Sequence, residues 1–320
     1  MKISCWIVTE GLAGTENQCL GIAEALGITP IVKRIALRQP WHTLSPWLGG
    51  EKEWTFSPLG DGLKAPWPDL VLASGRKSIA AARYIRRMSG NRAFIVFIQD
   101  PRISPSQFDL IAVPAHDALR GPNVIVTSAT PNRITAARLK EAREHFADPF
   151  EDFPLPRVAV LIGGSSKAYK MTEAVTRKLT AQLHALATDG RASLMITTSR
   201  RTGKANEDII DEGLNDTSAW VWDHDSENPY FGFLAWADYI LVTADSASMI
   251  SEAAATGKPV YMIPLEGGAR RIGRLHQNLI DQGILRVFDG TLEHWSYTPL
   301  NDAAFVAGEI EKRLKNVISA

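Results

Sequence analysis

Short apolar runs alternate along the chain with longer stretches in which apolar residues recur every three or four positions. Ile3 to Val8 is the first run. A glycine-bearing turn follows, and Cys19, Leu20, Ile22, Ala23 and Leu26 then mark one face of a helix that stops at Gly27. Further runs at Ile31 to Ile35, Leu70 to Ala73, Phe94 to Ile98, Leu110 to Val113 and Val124 to Val126 predict strands, and Ser78 to Met88 and Thr135 to Phe146 predict helices. Runs that are apolar on both faces suit a parallel sheet covered by helices.

The alternation breaks at Asp148-Pro149-Phe150-Glu151-Asp152-Phe153-Pro154-Leu155-Pro156, whose prolines and acids predict an extended connection. It then restarts with strands at Val158 to Ile162, Leu194 to Thr197, Trp220 to Trp222, Tyr239 to Val242 and Val260 to Ile263. Helices are predicted at about Thr172 to Ala187, Ser246 to Thr256 and Arg274 to Gln282, and Asn301 is placed to cap a terminal helix carrying Phe305, Val306, Ile310 and Leu314. The expectation is two Rossmann-like, doubly wound parallel-sheet α/β domains, residues 1–150 and 151–320, facing a cleft, with the last helix packing back on the first domain. Ligands of such domains lie beyond the carboxyl ends of the strands. Residues 40–68 fit neither pattern: Trp41, Trp47, Trp54 and Trp67 lie among five prolines, which predicts an irregular insertion.

Composition narrows the function classes. The 320 residues carry 35 basic and 35 acidic side chains, so the chain lacks the positive field of a nucleic-acid binder, and no nucleic acid is expected as a partner. The excess of bases over acids in residues 1–150 is matched by an excess of acids after them. That asymmetry suits contact between domains, an anionic acceptor or a membrane surface, and equally an ordinary solvated surface. Two cysteines, Cys5 and Cys19, imply no disulfide framework. No stretch of ~18 uncharged apolar residues is present, as a spanning helix would need. The expectation is a cytoplasmic protein, or one peripheral at the inner face of a membrane. Trp41, Leu44, Trp47 and Leu48 would supply such a membrane contact on a helix that Pro46 interrupts, or else they form a core patch.

The most informative segment runs from Val242 to Val260: strand, polar turn, helix, glycine stop, strand. Asp245, Ser246, Ser248 and Met249 occupy the turn and the first helical residues, where free amides and the helix dipole favour an anion such as a diphosphate. Glu252, one turn further in, is placed to accept bonds from ribose hydroxyls; a capped helix with a surface Glu gives the same pattern. Gly163-Gly164-Ser165-Ser166 follows a strand likewise and is a second anion-loop candidate. Ser199, Arg200 and Arg201 lie at the next strand end, and Arg274 borders another helix start. In the first half, Gly14, Thr15, Glu16, Asn17 and Gln18 open a helix, while Pro101-Arg102 and His116-Asp117 follow two strands. His116, oriented by Asp117, is a candidate base at neutral pH, as is Glu16. Neither a P-loop nor a dinucleotide fingerprint occurs, and zinc-type spacings are missing, so no metal and no cofactor are expected.

The Ser-x-x-x-Glu helix and the Gly-Gly-Ser loop together resemble the donor half of GT-B glycosyltransferases and sugar-nucleotide 2-epimerases. A narrower resemblance spans nearly the whole chain. Glu16-Asn17-Gln18, Pro101-Arg102, Pro114-Ala115-His116-Asp117, the Gly163 to Ser166 loop, Thr198 to Thr202, Asn228-Pro229-Tyr230 and Asp245 to Glu252 are similar to the mitochondrial-fission Elm family. Plant members are associated with mitochondrial division and with recruiting a dynamin-related protein; bacterial members look like uncharacterised GT-B proteins. The resemblance implies a GT-B-like fold and a metal-independent glycosyltransferase that takes a nucleoside-diphosphate sugar as substrate and passes the sugar to an unknown lipid or glycan acceptor. Glu252 would meet the donor ribose, the glycine loop and helix start its diphosphate. Gly14, Thr15, Asn17, Gln18, Pro101 and Arg102 would lie on the acceptor side. A nucleoside-diphosphate-sugar epimerase and a non-catalytic adaptor are the alternatives.

Overall fold

A computed structural model describes residues 3–188 and 191–318, and the chain divides into two compact units, Met1–Arg133 with Asn301–Ala320, and Ile134–Leu300. In the first unit β1 (Cys5–Thr9), β2 (Ile31–Arg34), β3 (Leu70–Ser74), β4 (Phe94–Ile98), β5 (Leu110–Pro114) and β6 (Val124–Thr127) form one sheet in the order β2-β1-β3-β4-β5-β6. Every pairing in it is parallel. Successive side chains of a strand point to opposite faces, so Cys5 and Ile7 enter one core layer while Trp6 and Val8 enter the other. The first layer is covered by α1 (Ala13–Ala25); the second by α3 (Ser78–Met88), which follows the short α2 (Trp41–Leu44).

The proline-rich insertion divides between core and surface. Trp41 and Leu63 are buried in the α3 layer, with Leu48, Phe56 and Trp67 packed against it, whereas Leu44 and Trp47 stay exposed. The structure thus assigns Trp41 and Leu48 of the four-residue patch to core packing.

The second unit opens with α4 (Ala136–His145), whose Arg138 amide donates to the Thr135 hydroxyl, and α5 (Ala147–Phe150). Its division from the first unit falls at Ile134, ahead of the acidic, proline-rich stretch. β7 (Arg157–Leu161), β8 (Tyr169–Lys170), α6 (Glu173–Ala187), β9 (Ser193–Thr197), α7 (Lys204–Leu214), β10 (Ala219–Val221), α8 (Tyr230–Trp236), β11 (Tyr239–Thr243), α9 (Ala247–Ala254), β12 (Val260–Ile263), β13 (Glu266–Gly267), α10 (Arg270–Asp281) and β14 (Leu285–Val287) follow. Six strands make a parallel sheet in the order β10-β9-β7-β11-β12-β14, and β8 pairs antiparallel with β13. The last helix, α11 (Asp302–Ile318), belongs to the first unit: Ala303, Val306, Ile310 and Leu314 join Cys5, Ile7 and Leu70 in its core.

Candidate functional site

Counted within the second unit, the strand order is third, second, first, fourth, fifth, sixth. The direction of winding therefore reverses between β7 and β11, which opens a crevice at their carboxyl ends. The loop after β7 carries Gly163 to Ser166; that after β11 carries Ala244 to Ser246.

The glycine loop is knitted to its neighbours. The Gly163 amide donates to Thr243 Oγ1 at 2.7 Å, and its carbonyl accepts from Thr202 Oγ1 at 2.7 Å and from the Ser199 hydroxyl. A Cβ at Gly163 would stand 2.5 Å from both Asp245 carboxylate oxygens. At Gly164, φ is +139° and a Cβ would meet the Arg201 backbone at 2.2 Å. These glycines are required by the close packing of three loops. Their neighbours' amides are also used inside the protein: Ser165 donates to the Arg201 carbonyl at 3.0 Å and Ser166 to that of Tyr169 at 2.8 Å. The Ser165 hydroxyl accepts from the Met171 amide, and that of Ser166 from Ala168 and Tyr169. The amides of Gly163, Ser165 and Ser166 are thus engaged within the protein, and further donors of this crevice lie at α9.

There the Ser246 hydroxyl accepts from the Met249 amide at 3.4 Å, and the Ser246 carbonyl takes the first intrahelical bond, from Ile250. The Ala247 and Ser248 amides find no acceptor among the described residues. Two unfilled donors at the positive end of a helix attract an anion. Beside them the Asp245 carboxylate is fully enclosed and faces Arg201 Nη1 at 2.8 Å, while the Arg201 side chain is 43% exposed. Asp245 thus tethers a guanidinium on a side chain that stays partly open to solvent. Arg200 is exposed next to it, and Arg274 is exposed on α10.

Glu252 lies one turn into α9 and is buried. Its Oε2 accepts a short hydrogen bond from the Tyr230 hydroxyl. Burial pushes the Glu252 carboxyl up to about 7, against the pull of that hydroxyl, and burial also drives the Tyr230 phenol well above its usual range.

Sequence reasoning missed His276. It sits on α10 with 7% exposure, its ring hydrogen-bonds the Ala244 backbone, and its Nε2 finds no partner among the described residues. Burial lowers its pKa, which keeps the imidazole neutral. A lone His on the apolar face of a helix carries no signal that distinguishes it from core. After β10 the Asp223 carboxylate closes a turn: its Oδ1 accepts from the Asp225 and Ser226 amides and the Ser226 hydroxyl.

In the first unit, Glu16 is gripped through both oxygens by the Arg34 guanidinium, at 2.7 and 2.9 Å, which holds its carboxyl below the usual range. A carboxylate so paired makes a weak base. Gly14 and Thr15 lie inside α1, whose N-cap is Leu12, and the Thr15 hydroxyl donates to the Leu12 carbonyl at 2.9 Å. Asn17 is half-buried beside them, and Gln18 is buried, its Oε1 accepting from Ser74 Oγ at 3.3 Å and Gln99 Nε2 at 3.1 Å. Pro101 is buried; Arg102 is exposed, in a tight turn where its amide donates to Asp100 Oδ1. His116 and Asp117 are both buried in the turn that follows β5.

Two α/β units, each built on six parallel strands, are the architecture of GT-B glycosyltransferases and the sugar-nucleotide epimerases that share it. A UDP-GlcNAc 2-epimerase from Methanocaldococcus jannaschii superposes with a TM-score of 0.61 at 11% identity, over 97% of this chain and all of that one. The spinosyn forosaminyltransferase SpnP superposes with a TM-score of 0.52 at 15% identity, over the whole of both chains. Likeness at these identities speaks for the fold alone. Residues 13–314 match the family model described as mitochondrial fission ELM1, and the chain belongs to that family. The mitochondrial fission protein ELM1 of Arabidopsis thaliana is 30% identical over 96% of this chain and 90% of its own length.

Proposed function

We propose that this chain is a glycosyltransferase whose second unit binds a nucleoside-diphosphate sugar at the crevice between β7 and β11. The observation that carries the reading is the start of α9: two unfilled amides, a serine cap and the tethered Arg201 stand at the carboxyl end of β11, with Glu252 one turn inward. Diphosphate charge would rest on those amides and on Arg201, and these donors stabilise the departing nucleoside diphosphate as negative charge develops on it. The transfer needs no divalent ion in this scheme, because a helix terminus and a guanidinium carry the charge. Two proteins of the same fold, MnaA of S. aureus solved with UDP and a UDP-GlcNAc 2-epimerase of Methanocaldococcus jannaschii solved with UDP-GlcNAc and UDP, support the ligand class.

For an inverting transfer the base in this reading is His116, oriented by Asp117, in preference to Glu16, whose carboxylate is paired with Arg34. Calorimetric titration with UDP and UDP-sugars, with and without EDTA, tests the donor site. Micromolar binding that survives EDTA and is lost in Glu252→Ala supports it; no binding of any nucleoside diphosphate sinks it. Incubation with UDP-sugars in the presence and absence of lipid extract tests the reaction: sugar interconversion without acceptor would make the chain an epimerase.

A further inference from the structure

Tyr230 stands on a different helix from the α9 residues and is 22 positions from Glu252 in sequence, yet its hydroxyl is bonded to the Glu252 carboxylate. Its position is fixed from below: the Tyr230 amide donates to Asn228 Oδ1 at 3.0 Å, Pro229 is the N-cap of α8, and the ring packs edge-on against Phe231 at 5.7 Å. The α8 carbonyls of Leu234 and Ala235 are in turn held by the half-buried Lys258 ammonium, at 2.7 Å each. The donor that meets Glu252 therefore comes from a helix anchored at both ends.

A buried carboxylate has a few low-energy rotamers and one strong need, a hydrogen-bond donor. With Oε2 committed to Tyr230, the direction of the second oxygen is set. We infer that Tyr230 is a positioning residue that aims the Glu252 carboxylate at a vicinal diol, the ribose of a nucleoside diphosphate. The inference rests on the proposed donor site and adds the device that gives it ribose selectivity. A carboxylate free to rotate would meet one hydroxyl or the other; one held by the phenol accepts from both together.

The experiment compares Tyr230→Phe with the unaltered protein, using UDP, 2′-deoxy-UDP and inorganic pyrophosphate as probes in calorimetric titrations. The unaltered protein should prefer UDP over 2′-deoxy-UDP by about tenfold, as expected for a hydrogen bond to a charged group. Tyr230→Phe should reduce that preference to about twofold or less while leaving pyrophosphate affinity unchanged. Glu252→Gln, which retains the side-chain shape, should reproduce the loss, so a folding defect peculiar to one variant cannot mimic the result. Equal losses for all three probes in Tyr230→Phe, or an unchanged ratio, would overturn the inference while leaving the donor site standing. Absence of binding by all three probes to the unaltered protein would overturn both.

Discussion

Removing the Arg201 guanidinium, as in Arg201→Met, leaves the Asp245 carboxylate enclosed beneath Gly163 without its cation. A fully buried pair broken from one side costs about 3–5 kcal/mol. Arg201 is 43% exposed while the Asp245 carboxylate is not exposed at all, so water offsets part of the loss and about 2–3 kcal/mol is the better expectation. At roughly 2–4 °C per kcal/mol for a domain of this size, the unfolding midpoint should fall by about 4–12 °C. Asp245→Asn removes the buried charge, and adding it to Arg201→Met should restore about 2 kcal/mol, a coupling that a double-mutant cycle by urea denaturation measures directly. The same four proteins separate folding from ligand binding, because the double variant should recover stability and still bind UDP poorly. Energies that add to within about 0.5 kcal/mol would refute the argument that this pair is coupled. A double variant that binds UDP like the unaltered protein would refute the assignment of Arg201 to the diphosphate.

Gly164→Ala forces a Cβ to within 2.2 Å of the Arg201 backbone at a φ of +139° and should cost at least about 2 kcal/mol; Gly273→Ala, on α10 where a Cβ meets nothing within 4 Å, should gain up to about 1 kcal/mol. Thermal melts of the two, side by side, test whether the loop packing is as close as described. Burial raises the Cys5 thiol to about 12 and Cys19 well above the usual range, so neither should react with a thiol reagent at pH 8 until the chain is unfolded, when both do. The preference for UDP over 2′-deoxy-UDP should weaken as the pH falls through about 7. The diol needs the ionised Glu252, which burial brings to about 7, Tyr230 being the titratable neighbour that acts on it; the phosphates titrate alike in both ligands and cancel in the ratio. A ratio constant from pH 6 to pH 8 would contradict this.

How far the fold was legible depends on what each element buries. The strands β1, β3, β4, β5, β7, β9 and β11 announce themselves as apolar runs because both their faces are covered. α7 escapes notice because its first turn, Lys204 to Glu207, holds no apolar residue larger than Ala205 and its buried apolar residues, Ile209, Ile210 and Leu214, come late. α8 escapes for the opposite reason: Tyr230 to Trp236 is apolar or small throughout and too short to show a period. β14 and the pair β8 and β13 have two or three residues each, below any periodic signal. Within the site, the helix start and Glu252 follow from local pattern, whereas Tyr230 and His276 reach it through tertiary packing alone. The glycine loop shows the limit of reading chemistry from composition. Gly163 and Gly164 suggest a backbone bared to a ligand, and the structure spends that freedom on bringing Asp245, Thr243 and Arg201 together.

The path of the chain carries a consequence for how the protein is made. Asp302 at the head of α11 accepts the Ser128 and Ala129 amides at 2.9 Å each, and the helix behind it closes a layer begun by Cys5 and Ile7. As the polypeptide leaves the ribosome, residues 134–300 are complete and free to fold while one apolar face of the earlier sheet is still covered by α1 alone. The portion synthesised first is thus the last to be finished. A nascent chain stalled before Asp302 should accordingly be held by chaperones at its front half and resist protease in its middle.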